Sequence, residues 1–176
     1  MDTHTAYAAY IGRFSPLHVG HGAVIERMLK EFGPKNSLIV IGSSNTPTTL
    51  RHFFTYDERK QFIKKVYEDA RIVGLPDYAT DQSWLSALDD LLLVAGMDPK
   101  QVTFFGGCEE DISFFQSDGR KISILNRFDG STKKVSATEV RDALIHGRPL
   151  QDLVHPNILT DLRMLFTEKW EKFKKM

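Results

Sequence analysis

The sequence has a single cysteine, Cys108. That excludes an internal disulfide and any zinc site needing two or more thiolates, and leaves open a site built from histidine or carboxylate. Excess charge is also absent. The 23 Lys and Arg residues balance the 23 Asp and Glu residues, so no bulk field draws the chain to nucleic acid or an anionic membrane. The expected partner is a small molecule whose charge is neutralised locally. No apolar run approaches the roughly 18 residues that a membrane-spanning helix needs. The opening MDTHTAYAAYIG has no basic segment ahead of an apolar one, so the cytoplasm is the expected compartment. Repeats and low-complexity linkers are missing too. At 176 residues and 41% apolar composition, the chain has material for one core and too little for two ordinary domains. One domain over residues 1–176 is expected, with 155–176 as a C-terminal helix packed on it; a homo-oligomer is compatible with this.

What is present is an alternation of short apolar runs and amphipathic segments. Ala6 to Ile11 ends at Gly12 and is followed by a loop, then by Val24, Ile25, Met28, Leu29 and Phe32 at helical spacing. Gly33 and Pro34 stop that helix, and Ser37 to Ile41 (SLIVI) is a continuous apolar run of the kind found in buried parallel strands. Thr55 and Glu58 form a capping-box pattern ahead of a helix carrying Phe62, Ile63, Val66 and Tyr67. Arg71 to Leu75 is read as a third strand, Trp84 to Val94 as a helix and Val102 to Phe105 as a fourth strand. A short helix within GGCEEDISFF, a fifth strand over Lys121 to Leu125, a helix capped at Ser136 and Glu139, and a last helix over Pro156 to Phe173 follow. This order predicts a doubly wound, mostly parallel α/β sheet, whose ligands bind beyond the carboxyl ends of the strands.

The loop after the first strand reads Gly12-Arg13-Phe14-Ser15-Pro16-Leu17-His18-Val19-Gly20-His21. It sets a cation and two imidazoles in front of a helix N-terminus, where unpaired N–H groups favour an anion and Gly20 permits close approach. Phosphate is the natural guest. Histidines at i and i+3 also suit a helix cap or a metal pair. In Val135-Ser136-Ala137-Thr138-Glu139-Val140-Arg141, two hydroxyls stand at a helix start with an arginine one turn in, a pattern that suits a plain cap or the grip on a triphosphate. Trp84, near the start of its amphipathic helix, fits either the core or an aromatic platform. Asp111 fits either an acidic first turn or a ligand for magnesium or ribose.

The first string resembles the GRFxPxHxGH signature of the HxGH nucleotidyltransferase superfamily, differing from the common GRFQPFHKGH form mainly at Ser15, Leu17 and Val19. The segment from Val135 to Arg141 resembles the second motif, ISSTxIR, with Ala137 replacing a hydroxyl. Ile41-Gly42-Ser43-Ser44, followed by Leu50-Arg51-His52-Phe53-Phe54-Thr55-Tyr56-Asp57-Glu58-Arg59, is similar to the IGSA…R-x-PFT-x-x-ER run of archaeal-type nicotinamide mononucleotide (NMN) adenylyltransferases and of the corresponding domain in bifunctional enzymes with a Nudix hydrolase. Phe53 stands where that run has proline. Gly106 to Phe115 resembles the GxxKDxSxxYL segment of the bifunctional enzymes.

The resemblance implies a Rossmann-like fold and transfer of AMP from ATP to NMN, with Mg2+ carried by ATP and no protein-held metal. It assigns catalysis to His18, His21 and Arg13. ATP binding falls to Gly12, Arg13, Phe14, His18, Gly20, His21, Ser136, Thr138 and Arg141, and NMN binding to Ser43, Arg51, Trp84 and Asp111. For Glu58 and Arg59 the competing reading is a cap and a surface ion pair. Two alternatives stand beside this function: adenylyl transfer to nicotinate mononucleotide, an FMN precursor or phosphopantetheine, and a nucleotide-binding regulator that has lost turnover, for which Ser15, Phe53 and Ala137 are the departures to weigh.

Overall fold

Each short apolar run becomes a strand of one sheet. The computed structural model describes residues 5–125 and 135–176, and the backbone only of Glu109, Glu110 and Asp111. The strands are β1 (Tyr7–Gly12), β2 (Ser37–Ile41), β3 (Arg71–Gly74), β4 (Val102–Gly106) and β5 (Lys121–Ile124). The helices are α1 (Val19–Phe32), α2 (Tyr56–Val66), α3 (Asp81–Val94), α4 (Glu109–Ser117), α5 (Ala137–Ile145) and α6 (Pro156–Phe173). The sheet order is β3-β2-β1-β4-β5 and its four pairings are parallel. β1 lies at the centre, with Ala9 opposite Leu38 on one side and Phe104 on the other. The order reverses between β1 and β4, so the loops after these two strands diverge and leave a crevice at the carboxyl edge.

The period-2 alternation of side chains divides the core. Ala8, Tyr10, Ile39, Ile41 and Phe105 face a cluster with apolar residues of α1, α2, α5 and α6. Ala9, Leu38, Val40, Val102 and Phe104 face a second cluster, with Leu85, Leu88 and Leu92 of α3 and Ile112 and Phe115 of α4. Both faces are therefore covered, which is why every residue of β2 is buried.

Helix α3 begins a turn earlier than its apolar periodicity predicts, because Thr80 caps it: its Oγ1 accepts from the Ser83 N–H at 3.1 Å. Polar Asp81, Gln82 and Ser83 fill the first turn. At the other end of the chain, α6 carries Phe166, Trp170 and Phe173 as neighbouring rings, with Trp170 stacked on both others. Phe53, fully buried, packs against all three at 5.1–6.2 Å between centroids. Lys169 of the same helix lies over the Phe53 ring and pairs with Glu58 at 2.6 Å. Burying a ring such as Phe53 contributes about 1.5–3 kcal/mol, and here it fastens the β2–α2 loop to α6.

Candidate active site

The loop after β1 is built around two reciprocal histidine caps. His18 is the N-cap of α1, and its Nδ1 accepts from the N–H groups of Gly20 at 3.0 Å and His21 at 3.3 Å. His21 Nδ1 in turn accepts from the His18 N–H at 3.2 Å. The next donor, Val19 N–H, goes to the Leu153 carbonyl at 2.9 Å. The unpaired N–H groups expected at this helix start are thus consumed by its own side chains and by the segment before α6. What the helix start presents instead is imidazole. With each Nδ1 accepting, each neutral ring carries its proton on Nε2.

The two rings stack at 3.6 Å between centroids and 22° between planes. Phe14 lies tilted against His21 at 4.7 Å and meets Tyr10 edge-on at 5.3 Å. Phe14 has φ 51°, in the left-handed region that bulky residues rarely adopt. Its ring is nevertheless fully buried, and a Cβ on Gly12 would stand 3.1 Å from it. Glycine at position 12 is what lets the ring fold back under the loop. Gly20 is buried in the first turn of α1.

The loop after β2 lies against the first. Gly42 N–H donates to the Gly12 carbonyl at 2.8 Å. Arg59 of α2, only 3% exposed, reaches both loops: Nη1 donates to the carbonyls of Arg13 and Gly42 at 2.9 Å each, Nη2 to Ser43 at 3.1 Å and Nε to Thr55 at 3.2 Å. The surface ion pair considered for Arg59 is not what forms. Its spacing with Phe62, Ile63 and Val66 places it on the apolar stripe of α2, a signal the capping-box reading passed over. Glu58 does complete the box, accepting from the Thr55 N–H at 2.9 Å. Burial pulls the Arg59 pKa down, and the Arg13 charge adds to that.

Arg13, the first residue after β1, and Arg51, in the β2–α2 loop, are both exposed. Both charges act on His52, whose pKa is lowered chiefly by burial and then by these two arginines. Ser43, buried and with φ 50°, donates its hydroxyl to Asp77 at 2.9 Å, and Thr46 donates to the other Asp77 oxygen at 3.0 Å.

Helix α5 brings the second motif to the first. Ser136 caps it, accepting from the Glu139 N–H at 3.1 Å, and Ala137 and Thr138 begin the helix, where main-chain N–H groups have no acceptor within the helix. Arg141 Nη1 donates to the Ser15 carbonyl at 2.7 Å and Nη2 to Thr138 Oγ1 at 3.3 Å. Its pKa is lowered, first by burial and then by the charges of Arg51 and Arg13. Among the described residues, the Ser15 hydroxyl is the one buried side-chain polar atom with no hydrogen-bond partner. Arg13, His18, His21, Arg51, Ser136, Thr138 and Arg141 therefore belong to loops and helix starts at one edge of the sheet.

Trp84 stands apart from them. It is half-buried, packs on Phe114 and Phe115 at about 6 Å between centroids, and lines a cleft of about 270 Å3 with Asp77, Tyr78, Thr80, Asp81 and Phe114. Asp77 joins this cleft to Ser43. The Asp111 side chain lies outside the described residues. Among the described residues, no three His, Cys, Asp or Glu side chains gather as metal ligands, and no helix is long and apolar enough to cross a membrane.

Fold and site together define a nucleotidyltransferase, and the family model described as cytidylyltransferase-like matches residues 9–143. The chain belongs to that family. Within it, the chain is 28% identical to the nicotinamide-nucleotide adenylyltransferase of Pyrococcus abyssi over 156 residues, covering 85% of this chain and 78% of that protein. It is also 28% identical to the protein of the same name from Methanocorpusculum labreanum over 155 residues, covering 86% of each. Among solved structures, a bifunctional NMN adenylyltransferase/ADP ribose pyrophosphatase from Francisella tularensis superposes with TM-score 0.74 at 23% identity, covering 89% of this chain and 49% of that one. This chain thus spans about half of the bifunctional protein. A second Francisella tularensis structure of this kind, complexed with AMP and a manganese ion, gives TM-score 0.70 at 21% identity, covering 94% of this chain and 52% of that one. At these identities, the structural likeness speaks for the fold.

Proposed function

We propose that this protein transfers the AMP moiety of ATP to NMN, forming NAD and pyrophosphate. The observation that carries the reading is the 2.7 Å hydrogen bond from Arg141 to the Ser15 carbonyl. It closes the second motif onto the histidine loop, where Arg13 and Arg51 add charge. Such a concentration of cations around two imidazoles suits the meeting of a triphosphate and a phosphate monoester. The archaeal relatives named nicotinamide-nucleotide adenylyltransferase support NMN as acceptor.

In this reaction, a 5′-phosphate oxygen of NMN attacks the α-phosphorus of ATP in line. The new P–O bond forms as the bond to the bridging oxygen breaks, and the electron pair leaves with pyrophosphate. ATP enters as its Mg2+ complex, and the ion departs with pyrophosphate. The chain supplies position and charge. His18 and His21 direct Nε2–H donors to the α-phosphate as negative charge builds. Arg13 lies beside the phosphates, with Gly12, Phe14 and Gly20 shaping the loop around ATP. Ser136, Thr138 and Arg141 hold the triphosphate; Arg51 and the Ser43 loop hold the NMN phosphate, and Asp111 at the start of α4 completes the acceptor side.

Trp84 is the platform for the nicotinamide ring, whose positive charge an indole face attracts by about 0.5–2 kcal/mol. Among the described residues, the cleft around it is lined by the carboxylates of Asp77 and Asp81 and by no Lys, Arg or His. This favours the cationic amide ring over the carboxylate of nicotinate mononucleotide. Pyrophosphate release from ATP with NMN, nicotinate mononucleotide, FMN precursor or phosphopantetheine tests the reading. Turnover is expected with NMN in preference to nicotinate mononucleotide. Binding of ATP or NAD by calorimetry without pyrophosphate from any acceptor would replace it with a nucleotide-binding regulator.

A further inference from the structure

Arg59 is a buried cation for which the reaction above has no use. Among the described residues its guanidinium forms no ion pair, and four main-chain carbonyls satisfy it instead. Those carbonyls are not a random set. Arg13 carries a cation of the histidine loop; Gly42 and Ser43 begin the loop that leads to Arg51; Thr55 ends that loop as the cap of α2. One planar fork therefore fixes the root of Arg13 and both ends of the segment that carries Arg51. Lysine, with one nitrogen, has no such geometry.

The Gly42-to-Gly12 main-chain bond joins the same two loops. Burying a charge is costly unless hydrogen bonds satisfy it, and α2 has apolar residues on the rest of its inner stripe. A cation on that stripe has to be explained by what it holds.

We propose that Arg59 is a positioning residue: it sets the separation of the Arg13 and Arg51 loops, and with it the approach of the acceptor phosphate to the α-phosphate of ATP. The proposal rests on the adenylyltransferase reading and deepens it. Displacing reacting groups by about 1 Å costs on the order of 10²-fold in rate.

The test compares wild type, Arg59→Lys and Arg59→Gln by melting curve, by steady-state kinetics with ATP and NMN, and by amide hydrogen exchange over Gly12 to Ser15 and Gly42 to Ser44 without ligand. Both loops are expected to lose protection together in Arg59→Gln. Turnover per folded molecule should fall by about 10²-fold, a larger change than any rise in the KM for ATP. Arg59→Lys should fall between the two. Wild-type exchange in both loops with wild-type kcat overturns the proposal, as does a lowered melting temperature with unchanged kcat in the folded fraction. Unfolding of both variants also overturns it, in favour of a purely structural role. A wild type that makes no pyrophosphate removes the adenylyltransferase reading, and with it the approach-setting role. The paired loss of protection then decides separately whether Arg59 holds the two loops together.

Discussion

His18 and His21 each serve as a helix cap and, in the proposed reaction, as a phosphate donor, and substitutions can pull the two roles apart. Asparagine at 18 keeps an N-cap acceptor, and glutamine at 21 keeps the return half of a capping box. His18→Asn and His21→Gln are therefore expected to melt close to wild type while turnover falls by roughly 10²-fold or more, the cost of losing one transition-state donor. His18→Ala loses the cap as well, at about 1 kcal/mol. Normal turnover in a folded His21→Gln would remove that ring from the mechanism. Arg141→Ala should raise the KM for ATP more than that for NMN, and equal effects would count against a triphosphate role. His52 has its own signature. Because its pKa in the fold lies below the ordinary 6.5, the unfolded chain binds the proton more readily, so stability is expected to decline as pH falls through about 6.5. An anion beside it favours the charged form. NMR titration of His52 should show its pKa rising when pyrophosphate is added, and an unchanged pKa would place the anion elsewhere. Of these residues, the motif histidines and Arg141 were legible in the sequence because their spacing carries them. Arg59 was not, since its four carbonyl partners come from chain segments that meet only after folding.

At the level of elements, the β2–α2 loop depends on α6. Phe53 stands where the motif that this loop resembles has proline, and its ring packs into the cluster of Phe166, Trp170 and Phe173. Truncating a fully buried phenylalanine costs about 3–5 kcal/mol, so Phe53→Ala should lower the unfolding free energy from denaturant titration by an amount in that range. Because the same loop carries Arg51, the KM for NMN should rise in the folded fraction. A folded Phe53→Ala with wild-type stability would show that α6 does not anchor the loop. The strands and most helices were legible because apolar periodicity and caps are local signals. The early start of α3 was missed because its first turn is polar, and only the Thr80 hydroxyl marks it.

For the molecule as a whole, the proposed mechanism gives the metal no site of its own and brings it in with the triphosphate. Chelation with EDTA should therefore stop pyrophosphate release and leave the melting temperature of the ligand-free protein unchanged. A lowered melting temperature would reveal a resident ion, since anything that binds only the native state stabilises it. The sequence by itself determined the α/β alternation, the parallel sheet and the two motifs, because each is written in the spacing of neighbouring residues. Only the tertiary structure decided how they meet. It sends the Val19 N–H to the Leu153 carbonyl and Arg141 to the Ser15 carbonyl, and it clamps two loops on Arg59. These are contacts between residues far apart in the chain, and their partners are main-chain atoms that every residue possesses, so no residue pattern announces them.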